Sequence, residues 1–157
     1  MIGTTVAAPS LTFFDEMAID LGDRQIELIH AGPSHTSGSL IVYIPASKTL
    51  FAGDLLFTNY HPNMRDGDIG SWIKALDRIA AMDIVDVIPG HGPLSTKKDI
   101  KEMKEYLAAF DVKAKELVAR SNDPDVVARE LKKVLPPRRY FDLFIASNVK
   151  ALYMKND

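Results

Sequence analysis

Five consecutive apolar residues, Leu40-Ile41-Val42-Tyr43-Ile44, stopped by Pro45, constrain this chain most. A short unbroken apolar run ended by proline reads as a strand buried on both faces, and such a strand needs a sheet around it. The neighbouring sequence supplies one. Ala18 to Leu21 and Gln25 to Ile29 flank Gly22-Asp23, a hairpin signal. Ala46-Ser47-Lys48 turns the chain into a further predicted strand, Thr49 to Ala52. Residues 58–70, rich in Asn, Pro, Asp and Gly, read as a loop.

The second half changes period. Ser71 is placed to cap a helix with Trp72, Ile73, Leu76, Ile79 and Ala80 on one face. Asp86 to Pro89 is a short strand feeding the turn Gly90-His91-Gly92-Pro93. From Thr96 to Arg120 a long helix carries Ile100, Met103, Leu107, Phe110, Ala114 and Leu117 at helical spacing; its other face is Lys, Glu and Asp, a solvated surface. Asp123-Pro124 starts a helix that ends before Pro136-Pro137, and Arg138 to Tyr153 holds a last one. Strands, helix, strand, helices predict an α/β or α+β fold, helices covering one face of one sheet.

Length and composition bound the function. The 157 residues make one domain, 1–157, with enough apolar material (46%) for a core. A net charge of −2 gives no general attraction to nucleic acid or anionic lipid. No apolar run approaches the ~20 residues of a membrane span, and no signal peptide is visible at Met1 to Ser10. The chain has no cysteine, so a metal would have to use histidine and carboxylate. A cytoplasmic location is expected.

Three stretches bring such ligands next to apolar runs: Gly32-Pro33-Ser34-His35-Thr36, Phe51-Ala52-Gly53-Asp54 and Pro89-Gly90-His91-Gly92. Each is read as a turn at a strand end, where sheets collect ligands. The Thr36 hydroxyl is positioned to orient His35. His35 and Asp54 lie 19 positions apart, and Asp54 and His91 lie 37 apart, so no local motif joins them and the fold must. His61 is expected to be an exposed loop histidine, with a substitute-ligand or substrate-contact role as the alternative. His30 reads as structural or exposed, Trp72 as core, and Arg65, Asp66 and Asp68 as loop-forming. No Gly-x-Ser-x-Gly occurs, so a serine nucleophile has no support.

The ordered set resembles the metallo-β-lactamase superfamily of metal-dependent hydrolases. Gly32-x-x-His35-Thr36-x-Gly38 is similar to its third-histidine motif, Phe51-Ala52-Gly53-Asp54 to its bridging-aspartate motif, and Pro89-Gly90-His91-Gly92 to its last-histidine motif. Trp72-Ile73-x-Ala75-Leu76 and Asn148-Val149-x-Ala151-Leu152-Tyr153 continue the likeness. The resemblance implies an αββα sandwich and a two-metal site, mostly zinc, sometimes iron or manganese. His35 would bind the first metal, Asp54 bridge both and His91 bind the second. A metal-activated hydroxide would attack an ester, thioester, lactone, lactam or phosphodiester. Aspartate at 54 resembles glyoxalase-II-like members more than lactamases with a thiolate ligand.

The upstream His-x-His-x-Asp-His signature is absent, and His30 is the lone histidine before His35. The chain therefore resembles the C-terminal half of a member, half of the sandwich. It is expected to hold one weakly bound ion at most and to be inactive or weak alone. The apolar sheet face that the other half would cover is expected to meet a partner, as a homodimer or with a complementing N-terminal half. A non-catalytic remnant or an interaction domain with incidental histidines is the alternative.

Overall fold

The computed structural model describes residues 3, 5 and 7–154. Five strands form one sheet in sequence order: β1 (Glu16–Asp20), β2 (Gln25–His30), β3 (Leu40–Ile44), β4 (Thr49–Phe57) and β5 (Asp86–His91). The first three pairings are antiparallel, and β4 and β5 run parallel. Parallel neighbours need a crossover, and α1 (Ile69–Ala81) provides it. The helices α2 (Lys97–Val118), α3 (Pro124–Val134) and α4 (Leu143–Tyr153) follow. This is a mixed five-stranded sheet with four helices, an α+β fold. No helix among the described residues is long and apolar enough to cross a membrane.

The helices start where local chemistry dictates. Asp68, not Ser71, caps α1: its Oδ1 accepts from Ser71 N at 2.6 Å. Serine's amide is one of the orphan donors of the first turn, and the carboxylate three residues earlier satisfies it. Thr96 and Asp99 cap each other's backbone at the start of α2, and Asp123, just before Pro124, accepts from the Asp125 and Val126 amides at the start of α3. The last helix is shorter than its sequence predicts, because residues 138–142 stay outside it: Tyr140 bridges to Tyr60 and Phe141 takes a positive φ.

The register sorts the sheet into two faces. On one, Leu50 and Val87 pair and are fully buried with Ile41 and Ala52 against Trp72, Leu76, Met103, Leu107 and Phe110 of α1 and α2. On the other, Met17, Leu28, Val42, Phe51 and Ile88 pair in one row across all five strands. None of these five is buried, and Phe51 is 40% exposed. The expected burial of Leu40–Ile44 on both faces is therefore corrected. Only Ile41 is buried and Leu40 is exposed, because helices cover one face alone.

Candidate functional site

Asp54 does not sit in a turn after a strand. It lies inside β4, which continues to Phe57. What places it is a bulge: pairing with β5 shifts register on both sides of Gly53, whose φ is +52°. Glycine takes that left-handed conformation without the Cβ penalty, and a bulge re-aims the side chain that follows. His91 likewise ends β5 rather than occupying a turn. Its backbone pairs with Phe57, its ring stacks on Phe57 at 4.8 Å, and its carbonyl accepts from Thr58 N at 2.8 Å.

His35 does lie in a turn, between β2 and β3. Its ring meets Trp72 edge-on at 5.6 Å and 83°, and Phe57 at 5.9 Å. Packing on Trp72, rather than the Thr36 hydroxyl, orients it. The turn itself is held by backbone: Asp68 N donates to Ser34 O and Ser34 N to Thr36 O. Burial lowers the His35 pKa from its ordinary value, while the Asp54 charge acts the other way.

The fold brings the three together. His91 Nε2 stands 3.5 Å from Asp54 Oδ1, and His35 Nε2 stands 3.9 Å from Asp54 Oδ2. Each imidazole thus faces a different carboxylate oxygen. Gly90 makes room for this: a Cβ there would collide with Asp54 Oδ1 and come within 2.7 Å of the Gly53 carbonyl carbon.

A metal imposes a test. Two ligands at about 2.1 Å from a tetrahedral zinc stand about 3.4 Å apart. The His91–Asp54 spacing matches that, and the His35–Asp54 spacing is wider. Zinc also needs at least three protein ligands, and these residues split over two oxygens. Among the described residues no group of three His, Asp or Glu side chains could hold one ion. The spacing suits neighbouring ligands, but the number falls short of a closed site.

His61 overturns its expectation. It is 2% exposed, not a surface residue. Its Nδ1 bonds Tyr106 Oη at 2.8 Å, and its Nε2 lies 3.3 Å from Asp142 Oδ1. Burial pushes its pKa down to about 4, despite the Asp142 charge that favours protonation; Arg138 and Lys132 oppose it further. Burial holds the Tyr106 phenol above its usual range. The Arg138 guanidinium lies 4.3 Å from the Tyr106 ring centroid and donates to the Phe57 and Tyr60 carbonyls. His30 is half-buried, with Nε2 3.1 Å from Ser37 O. Tyr106 had a legible signal, lying three residues after Met103 and four before Phe110 on the apolar face of α2. Arg138 had none, because the two carbonyls it binds lie about 80 residues away.

Comparison with known proteins identifies the family. A sequence profile of the metallo-beta-lactamase superfamily matches residues 3–91, more than half of the chain. The chain is 28% identical over 107 residues to a metallo-beta-lactamase type 2 of Bacteroides fragilis, covering 65% of this chain and 43% of that protein. It is 31% identical over 88 residues to the human acyl-coenzyme A thioesterase MBLAC2, covering 53% and 31%. The solved metallo-beta-lactamase from Pontibacter korlensis superposes with a TM-score of 0.60 at 28% identity, over 65% of this chain and 50% of that one. The chain thus spans half or less of the length of these relatives. With its three motifs gathered on one sheet end and that profile across them, it belongs to the metallo-beta-lactamase superfamily.

Proposed function

We propose that this chain serves a metal-dependent hydrolase of its superfamily, acting on an ester, thioester, lactone, lactam or phosphodiester. His35, Asp54 and His91 would contribute its share of the metal ligands, with zinc the first choice and iron or manganese the others. The observation that supports this is the Asp54 carboxylate standing between two imidazoles, one opposite each oxygen. Its own residues have clear tasks: Trp72 and Phe57 orient the imidazoles, and Gly90 admits the carboxylate. Because the ligands are too few for a closed site, the chain alone holds at most one weak ion and is inactive or weak. A second polypeptide, either another copy or a complementing N-terminal half, completes it in a cytoplasmic setting.

The unburied apolar row across the sheet favours a second reading, a non-catalytic remnant or interaction domain that associates through that face. One experiment separates them. Zinc content and hydrolysis of thioester, lactone, phosphodiester and β-lactam probes are measured for the chain alone and mixed with an N-terminal half of a relative. Metal uptake and turnover on mixing support the hydrolase. Association without metal or turnover supports the interaction domain.

A further inference from the structure

We propose that Tyr60, Tyr140 and Phe141 form a subsite beside His91 that receives a flat aromatic or conjugated group of the substrate. This rests on the hydrolase reading and names part of its substrate class. The His91 ring is framed by aromatic rings. Phe57 stacks on one face, Phe141 meets it edge-on at 5.5 Å and 82°, and Tyr60 lies 6.1 Å away. Tyr60 in turn stacks on Tyr140 at 4.7 Å and meets Phe141 at 5.0 Å.

These rings come from two segments far apart in sequence, held together by deliberate backbone pairing. His61 N donates to Tyr140 O and Arg139 N to Asn59 O, both at 2.9 Å. The Arg138 guanidinium anchors the same loop through the Phe57 and Tyr60 carbonyls. Phe141 is held at φ +67°. A bulky residue in that left-handed region is an outlier, and such outliers cluster at ligand-binding sites. Glycine would close this bend freely, so what phenylalanine adds is its ring.

The rings are not simply core. Tyr106 and Phe110 are fully buried, whereas Tyr140 is 50% exposed and Tyr60 and Phe141 are half-buried. The neighbouring charge at Asp142 is taken by Lys132. Besides the Asp54 carboxylate, His91 is therefore flanked by partly exposed rings, and ring edges and faces favour another flat ring in offset or edge-on contact. A saturated group of the same size gains burial only.

The test is binding of two neutral, non-hydrolysable probes of equal size, benzamide and cyclohexanecarboxamide, to the full chain, followed by NMR. Benzamide is expected to bind roughly tenfold tighter, as an aromatic contact beyond burial allows, and to shift the Tyr60, Phe141 and His91 ring signals. Phe141→Gly, which relieves the left-handed bend while removing the ring, and Tyr60→Leu are both expected to cut that preference to about twofold or less. Equal affinity for the two probes, or a preference that survives in folded Phe141→Gly, overturns the subsite. The probes need neither metal nor turnover. Hydrolysis by the completed assembly without aromatic preference therefore refutes the subsite alone. Aromatic preference without any turnover refutes the hydrolase and leaves the aromatic site standing.

Discussion

Acid should unlock His61. The residue is buried, and its folded pKa of about 4 lies below the unfolded value of 6.5. Burial outweighs the nearby Asp142 carboxylate because that carboxylate is itself about half exposed and already paired with Lys132. A lowered histidine pKa means that the folded state prefers the neutral ring. Between pH 6.5 and 4 the unfolded chain binds more protons, so stability falls as pH falls through that window. At roughly 1.4 kcal/mol per pH unit the loss reaches about 3 kcal/mol near pH 4, a sizeable part of the roughly 5–15 kcal/mol that a domain has. The assay is urea unfolding, followed by circular dichroism, at steps from pH 7.5 to 4. It is run on the natural chain and on His61→Asn, whose side-chain oxygen can accept from Tyr106 Oη but does not titrate. The variant should be less stable at pH 7.5 and show a flatter profile, the two curves converging toward pH 4. Parallel curves over that window would falsify the burial argument.

Three further outcomes follow from the same structure. Gly90→Ala drives a Cβ into Asp54 and the Gly53 backbone, and should cost about 1–3 kcal/mol in a urea melt as the two strands shift apart. Asp68→Ala removes the acceptor for the Ser71 amide, and should cost about 1 kcal/mol, read by thermal unfolding. Phe51→Glu puts a charge at the most exposed large side chain of the unburied apolar row. If that face holds a second copy, sedimentation should change from dimer to monomer and the urea midpoint should lose its dependence on protein concentration; an unchanged sedimentation profile counts against association there.

The elements were largely legible because their signals are local. Leu40–Ile44 matches its strand to the residue, and Thr96 and Asp123-Pro124 mark their helix starts, since capping depends on residues two or three positions away. The cap of α1 shows the limit of such local signals. Asp and Ser both cap helices, and only the geometry shows which of them accepts. Gly53-Asp54 reads as a turn that would end β4 at Ala52, yet the strand runs on to Phe57. The bulge that keeps the chain in the sheet depends on β5, some 35 residues onward.

Sequence alone determined which residues could serve: the ordered His35, Asp54 and His91 motifs, the period change from strand to helix, and the absence of thiolate ligands. Those are matters of side-chain chemistry and spacing, which the chain carries unfolded. Tertiary structure decided what they become together. It set each imidazole opposite its own oxygen of Asp54, buried His61 against Tyr106, and framed His91 with rings from segments some 80 residues apart. It also left one apolar face of the sheet unburied while helices sealed the other. Burial and distance arise only from packing, so no local pattern could have stated them.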